Sequence, residues 1–237
     1  MDIKQRLQAF NDDNKPFYIV DHDDGTFSLC LSLSFLGEEY AGFGQEVFNR
    51  YASQIGDPVT KRGLYTHGSG YEWENVFKKA FENEKDIGKI AFDCELSGFY
   101  CYTHELALLE DFGSRFRAIV EDTDGFARLV SEALSEAAVR EKAEEELRST
   151  LRGFLMEHPK SKAEIMTPDG YVCLTAEQGR QLLNDSNGTV LIEGITCSVE
   201  ELLSQKIVCV QQDLFDDELF KIKTEEAPEE NIRMEFF

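Results

Sequence analysis

The sequence predicts an α+β fold: an antiparallel sheet made of two hairpins and packed with helices, followed by a smaller mixed α+β region. Three observations carry that expectation. Residues 16–33 and 89–103 each carry strand-like runs on both sides of a turn signal. The segments between and after them repeat apolar residues at helical spacing. Hydrophobic residues make up 42% of the 237, including 18 Phe and 8 Tyr, too many for a chain that cannot collapse.

The elements follow in order. PFYIVDH is β-rich, DDG is a turn signal, and TFSLCLSL alternates, so residues 16–33 form the first hairpin. Asp21, Asp23 and Asp24 before Gly25 suggest calcium at first sight. A helix–loop–helix calcium site needs glycine at its sixth position and glutamate at its twelfth, where this chain has Thr26 and Ser32. Tyr40, Phe43, Val47, Phe48 and Tyr51 predict a helix over 37–55. GDPVTKRGLYT, residues 56–66, is a connection with a basic pair at Lys61 and Arg62.

HGSGYEWENV, residues 67–76, opens the next helix. Ser69 followed by Glu72 is a capping box, in which the serine oxygen and the glutamate carboxylate satisfy amide hydrogens at the helix start. Gly68 allows the tight entry, and Gly70 stands beside it. Trp73, Val76, Phe77, Ala80 and Phe81 share one face, which makes Trp73 a core residue. Tyr71 is the better candidate for exposure. Two glycines two apart do not make a phosphate loop here. Trp73 occupies the place of the third glycine of a dinucleotide fingerprint, and Glu72 and Glu74 oppose an anion at that helix end.

KIAFDC, ELSG and FYCYT predict the second hairpin, with Ile90, Phe92 and Cys94 on one face and Phe99 and Cys101 on the return strand. Residues 104–120 read as a helix that buries Leu108, Phe112, Phe116 and Ile119. The pattern over 124–157 is helical. Its middle, AAVREKAEEELR, loses bulky apolar residues, the mark of a solvent-exposed bridge. The expected organisation is therefore a domain over 1–145, a helical linker over 146–158 and a small α+β domain over 159–237. In the last, AEIMTPDGYVCL reads strand–turn–strand, and TVLIEGITC and KIVCVQQ read as strands. Two helices start from capping boxes, Thr175 with Gln178 and Ser198 with Glu201. The acidic segment EEAPEENIRMEFF is expected to be loose, with MEFF able to dock.

Charge and cysteine usage narrow the function. The net charge is -22, from 46 acids against 24 bases. Such a surface repels nucleic acid and anionic membranes and attracts basic partners. Cysteines 30, 94, 101, 173, 197 and 209 show no CxxC spacing and read as buried free thiols of a reducing, cytoplasmic compartment. The N-terminus lacks a signal-peptide pattern, and no apolar run is long enough for a membrane span. Histidines 22, 67, 104 and 158 include no HxH or HxxxH pair, and GxSxG and P-loop motifs are missing. Cys101 near His104, and Asp93 near Glu95, are sequence neighbours without catalytic geometry. No cofactor, metal or catalytic residue is expected.

PFYIVDHDDGTFSL at 16–29, GSGYEWENV at 68–76 and KIAFDCELSGFYCY at 89–102 together resemble the Immunity protein 51 family of bacterial polymorphic-toxin systems. The resemblance covers about residues 15–140. KRGLYTH, before the glycine motif, is longer here than in the family pattern. What the resemblance implies is a non-enzymatic protein that binds and neutralises a cognate protein toxin. The acidity suits a basic, nuclease-like one. The expected partner-binding residues are Asp23, Asp24, Tyr71, Glu72 and Glu74, on the structural frame of Gly68, Ser69, Gly70 and Trp73. The rival expectations are an adaptor whose C-terminal domain recruits another partner, and an enzyme without a short motif.

Overall fold

The computed structural model describes residues 2–57, 67–185, 187–192 and 195–225. The chain divides into two compact units, 1–139 and 140–237.

The first unit opens with α1 (Ile3–Asp13), which starts from a capping box between Asp2 and Gln5 that the sequence reading overlooked. The first hairpin forms as expected, β1 (Tyr18–Asp21) against β2 (Phe27–Ser32). The helix expected over 37–55 is shorter. Two 3-10 turns, Leu33–Phe35 and Glu38–Tyr40, precede α2 (Gln45–Gln54). The reason lies in the glycines. Gly42 and Gly44 have φ of 76° and 71°, outside any right-handed helix. A Cβ on Gly44 would stand 2.6 Å from the Trp73 ring, so the tryptophan demands a glycine there.

The helix after the glycine motif, α3 (Gly70–Ala80), has the expected capping box and buries Trp73, Val76 and Phe77. The second hairpin is β3 (Ala91–Phe92) with β4 (Gly98–Thr103). Next come α4 (Leu106–Glu121) and α5 (Thr123–Arg148). The buried stripe of α4 is turned slightly from the expected one. Leu109, Phe112, Phe116 and Val120 are buried, while Leu108 and Ile119 flank the core half-covered. The sheet order is β1-β2-β4-β3, all antiparallel.

Rings fill the space between this sheet and its helices. Trp73 stacks on Phe43 at 5.9 Å and Phe126 at 5.4 Å, and meets Phe17 and Phe116 edge-on at 6.3 and 6.0 Å. Phe77 continues the cluster to Phe99 and Phe81, and Phe81 stacks on Phe112 at 4.5 Å. Such pairs contribute about 0.5–1.5 kcal/mol each beyond their burial.

In the second unit the expected linker over 146–158 is instead a core element. After Thr150, whose hydroxyl caps the turn, α6 (Leu151–Glu157) buries Leu151, Phe154 and Leu155. The charged run is only the end of α5. β5 (Lys162–Thr167) and β6 (Gly170–Leu174) form a hairpin, and α7 (Ala176–Asn184) starts from the Thr175–Gln178 box. TVLIEGITC is a short hairpin, not one strand: β7 (Thr189–Ile192) pairs with β8 (Ile195–Ser198). The Ser198–Glu201 box starts α8 (Val199–Ser204), and β9 (Ile207–Gln212) follows.

The strand missed in the sequence is β10 (Leu219–Thr224), which lies inside the sheet in the order β6-β5-β10-β9 and runs parallel to β5. Buried Thr167 and Thr224 satisfy their hydroxyls on the carbonyls of Gly170 and Met166, at 2.9 and 3.2 Å. The Lys61–Arg62 connection and the acidic tail with MEFF lie outside the described residues.

Candidate binding face

Alternation along the strands decides which side chains of the first sheet meet the helices and which do not. Ile19, Phe27, Leu29, Leu31, Phe99 and Cys101 point into the ring-filled core. On the opposite face the register lines up Tyr18, Cys30 and Tyr100 across β1, β2 and β4. A second row, Val20, Ser28, Tyr102 and Ala91, crosses all four strands. Val20 and Tyr102 are exposed; Tyr18 and Tyr100 are half-buried. The solvent side of an antiparallel sheet ordinarily alternates to polar residues. Here it carries tyrosines, a valine and a cysteine.

The face continues into a cleft of about 490 Å³ at the β1–β2 side, lined by Lys15, Tyr18, Ser32, Phe35, Glu39 and Tyr40 among others. Phe35 stands 86% exposed on its rim, on the turn after β2. Burial first, and then the neighbouring Cys30 and Tyr100, hold the Tyr18 hydroxyl above its ordinary pKa. Burial likewise pushes the Cys30 thiol up to about 12. Both groups are neutral at physiological pH, so the Tyr18–Cys30–Tyr100 row presents hydroxyls and apolar surface, while charge enters at Lys15 and Glu39 in the cleft.

The structure separates the residues expected to bind together. Asp23 and Asp24 form the β1–β2 turn, at one end of the open face. Asp23 takes φ 59° and its amide donates to Asp21 Oδ1 at 2.9 Å. The Asp24 carboxylate accepts from the Thr26 hydroxyl and amide, which holds its pKa below the usual carboxylate value. Tyr71, Glu72 and Glu74 belong to α3, which packs against the other face of β4. The α3 start sits over the Gly98 end, where a Cβ on Gly70 would overlap the Gly98 carbonyl oxygen. The turn lies at the Thr103 end, since Phe27 pairs with both Asp21 and Thr103. Gly98 and Thr103 are five residue steps apart along β4, roughly 17 Å.

The five residues expected at an interface differ in exposure and in their partners within the fold. Tyr71 is 51% exposed, as expected, and Trp73 is buried. Glu72 is spent internally. Its Oε2 accepts from the amides of Gly68 and Ser69, and its Oε1 meets His67 Nδ1 at 2.6 Å. Glu74 pairs with Lys78 at 2.5 Å along the helix. His67 Nε2 faces Asp57 at 3.3 Å, and the Gln45 amide donates to the His67 carbonyl at 2.7 Å. This clamp joins the ends of α2 and α3. Both imidazole nitrogens are engaged in it, so His67 acts as a joint.

The other chemical candidates also resolve. Cys101 is buried on the inner face, and burial holds its thiol well above its ordinary pKa. His104 turns away and bonds the Gly25 carbonyl at 3.1 Å, so the two form no thiol–imidazole pair. Burial of all six cysteines is corrected: Cys30, Cys94 and Cys101 are buried, Cys197 and Cys209 are intermediate, and Cys173 is exposed. Cys173 pairs with Glu164 on the outer side of its sheet, where the strand period places it. Among the described residues, no group of three or more His, Cys, Asp or Glu could hold a metal ion. Nor, among them, is any helix long and apolar enough to cross a membrane.

The tyrosine rows escaped the sequence reading although FYCYT contains their signal. Phe99 and Cys101 mark the inner face, which leaves Tyr100 and Tyr102 on the outer one.

No family model, no curated protein and no solved structure matches the chain.

Proposed function

We propose that this is a non-catalytic binding protein of the immunity type, which captures a cognate protein toxin on the open tyrosine face of its first unit. The observation that carries the reading is the pair of cross-strand rows, Tyr18–Cys30–Tyr100 and Val20–Ser28–Tyr102–Ala91. Tyrosine supplies large contact area with a polar tip and loses little side-chain freedom, and aromatic residues dominate binding hot spots. Asp23 and Asp24 at one end of the face, and Glu39 in the cleft, suit a partner with basic residues around an apolar centre. The resemblance of residues 15–140 to the Immunity protein 51 pattern supports the toxin as that partner. The net charge of -22 supports a basic toxin over nucleic acid.

The test is capture of the toxin from source cells with the tagged full chain, followed by affinity measurement with the purified pair. Tyr102→Ala combined with Val20→Ala should weaken binding at least about tenfold and abolish neutralisation, while circular dichroism stays native. Tyr71→Ala should leave binding unchanged. A toxin held equally well by the double variant removes the face from the reading. Failure of the wild-type chain to neutralise any toxin removes the immunity function itself. The adaptor reading keeps two supporting observations, the separate core and the exposed loop of the second unit.

A further inference from the structure

We propose that the loop between β9 and β10 is a preformed docking finger that inserts Leu214 and Phe215 into an apolar pocket rimmed by lysine or arginine on a partner protein. Leu214 is 81% and Phe215 98% exposed, the latter the most exposed large hydrophobic residue of the described chain. Scattered exposed apolar residues are ordinary on a protein surface, but an adjacent pair at the tip of a rigid loop is not.

The loop is held at every step by groups other than those two side chains. Asp213 Oδ1 accepts the Phe215 amide at 2.9 Å, and Asp216 Oδ1 accepts the Glu218 amide at 3.1 Å. The Asp213 amide donates to the Leu219 carbonyl at 2.8 Å, and the Gln212 side-chain amide to the Asp217 carbonyl at 2.6 Å. Asp216 pairs with Lys162 at 2.8 Å, and Asp213 with Lys221 at 3.2 Å. Two strands of the sheet therefore brace the tip through their lysines. A loop already fixed in its bound shape loses little freedom on association, which is how a small contact gains useful affinity.

Charge selects among occupants. Asp213 and Asp216 flank the apolar pair in sequence, each paired with a lysine, and exposed Asp217 and Glu218 follow directly. The tip stays net acidic through exposed Asp217 and Glu218, which disfavours an anionic membrane. A second copy of a chain with net charge -22 meets the same repulsion. A pocket with cationic rim groups would pair with them.

The experiment places a photoreactive residue in the full-length chain, Phe215→benzoylphenylalanine, and irradiates source cells. One adduct with a different polypeptide is expected. Its crosslinked peptide should map to an apolar pocket bordered by Lys or Arg. Its yield should fall at least about tenfold with Leu214→Ala. The peptide QDLFDDEL, residues 212–219, should compete, and the version with alanine at both apolar positions should not. An adduct with the chain's own residues, with a second copy or with lipid overturns the proposal. So does no adduct, or one indifferent to Leu214→Ala. The proposal does not rest on the tyrosine face: a wild-type chain that forms the Phe215 adduct but neutralises no toxin breaks the first reading alone, and one that neutralises a toxin but forms no such adduct breaks this one alone.

Discussion

The two units pack a four-stranded sheet against helices with different side chains. In the first, Trp73 and a continuous set of phenylalanines fill the core. In the second, Leu151, Ile165, Val172, Leu202, Leu203 and Ile222 do so, with Phe154 and Phe220 as its ring pair at 5.2 Å. The first unit also sequesters its thiols, whereas Cys173 of the second faces solvent. Rings make each position depend on several others at once, because their edges and faces must interlock. Aliphatic cores repack more readily when volume is kept. The first unit is therefore the one in which single core changes should be felt most. Surface function in each lies where packing ends: the tyrosine face in one, the loop tip in the other.

Removing the ring at the centre of the first core should have the largest effect. Trp73→Ala should destabilise that unit by about 3–5 kcal/mol. Native-state hydrogen exchange should show α3, α4 and β4 losing protection while α8 and β5 keep theirs. Equal loss in both units would contradict their independence. High pH should discriminate next. Burial pushes Cys30 and Cys94 from 9.0 up to about 12. A raised folded pKa favours the neutral thiol, so this stability is fully present below pH 9 and is lost as pH rises toward 12. The urea midpoint of the first unit should fall over that range, and Cys30→Ala with Cys94→Ala should flatten the fall.

Smaller effects come from the helix starts. Ser69→Ala should cost about 1 kcal/mol, measured by urea unfolding. The same change at Thr175 touches the same kind of box and should be confined to the second unit. Smallest of all, Phe215→Ala should shift stability by no more than about 0.5 kcal/mol, because its ring supports nothing in the fold. A large loss there would mean that the loop belongs to the core.

Local chemistry was legible wherever neighbours in sequence are neighbours in space. Three expected capping boxes, at Ser69, Thr175 and Ser198, are present because each closes within one helical turn. The first hairpin and the α+β class were legible from alternation, and Trp73 as core from helical spacing. Tertiary structure decided the rest. The expected helix starts late, at Gln45, because Gly44 takes a left-handed turn where a ring from α3 occupies the space a side chain would need. LFKIKT is a sheet interior strand because β5, more than fifty residues earlier, offers it a parallel edge. Glu72 is bonded to His67 and two amides, partners that its place in a capping box only partly announces. FYCYT marks Tyr100 and Tyr102 as one face, but only the pairing of β1, β2, β4 and β3 lines them up with Tyr18 and Val20. Propensity and capping act over one turn and can be read residue by residue; burial and cross-strand pairing depend on partners that the chain meets only once it has folded.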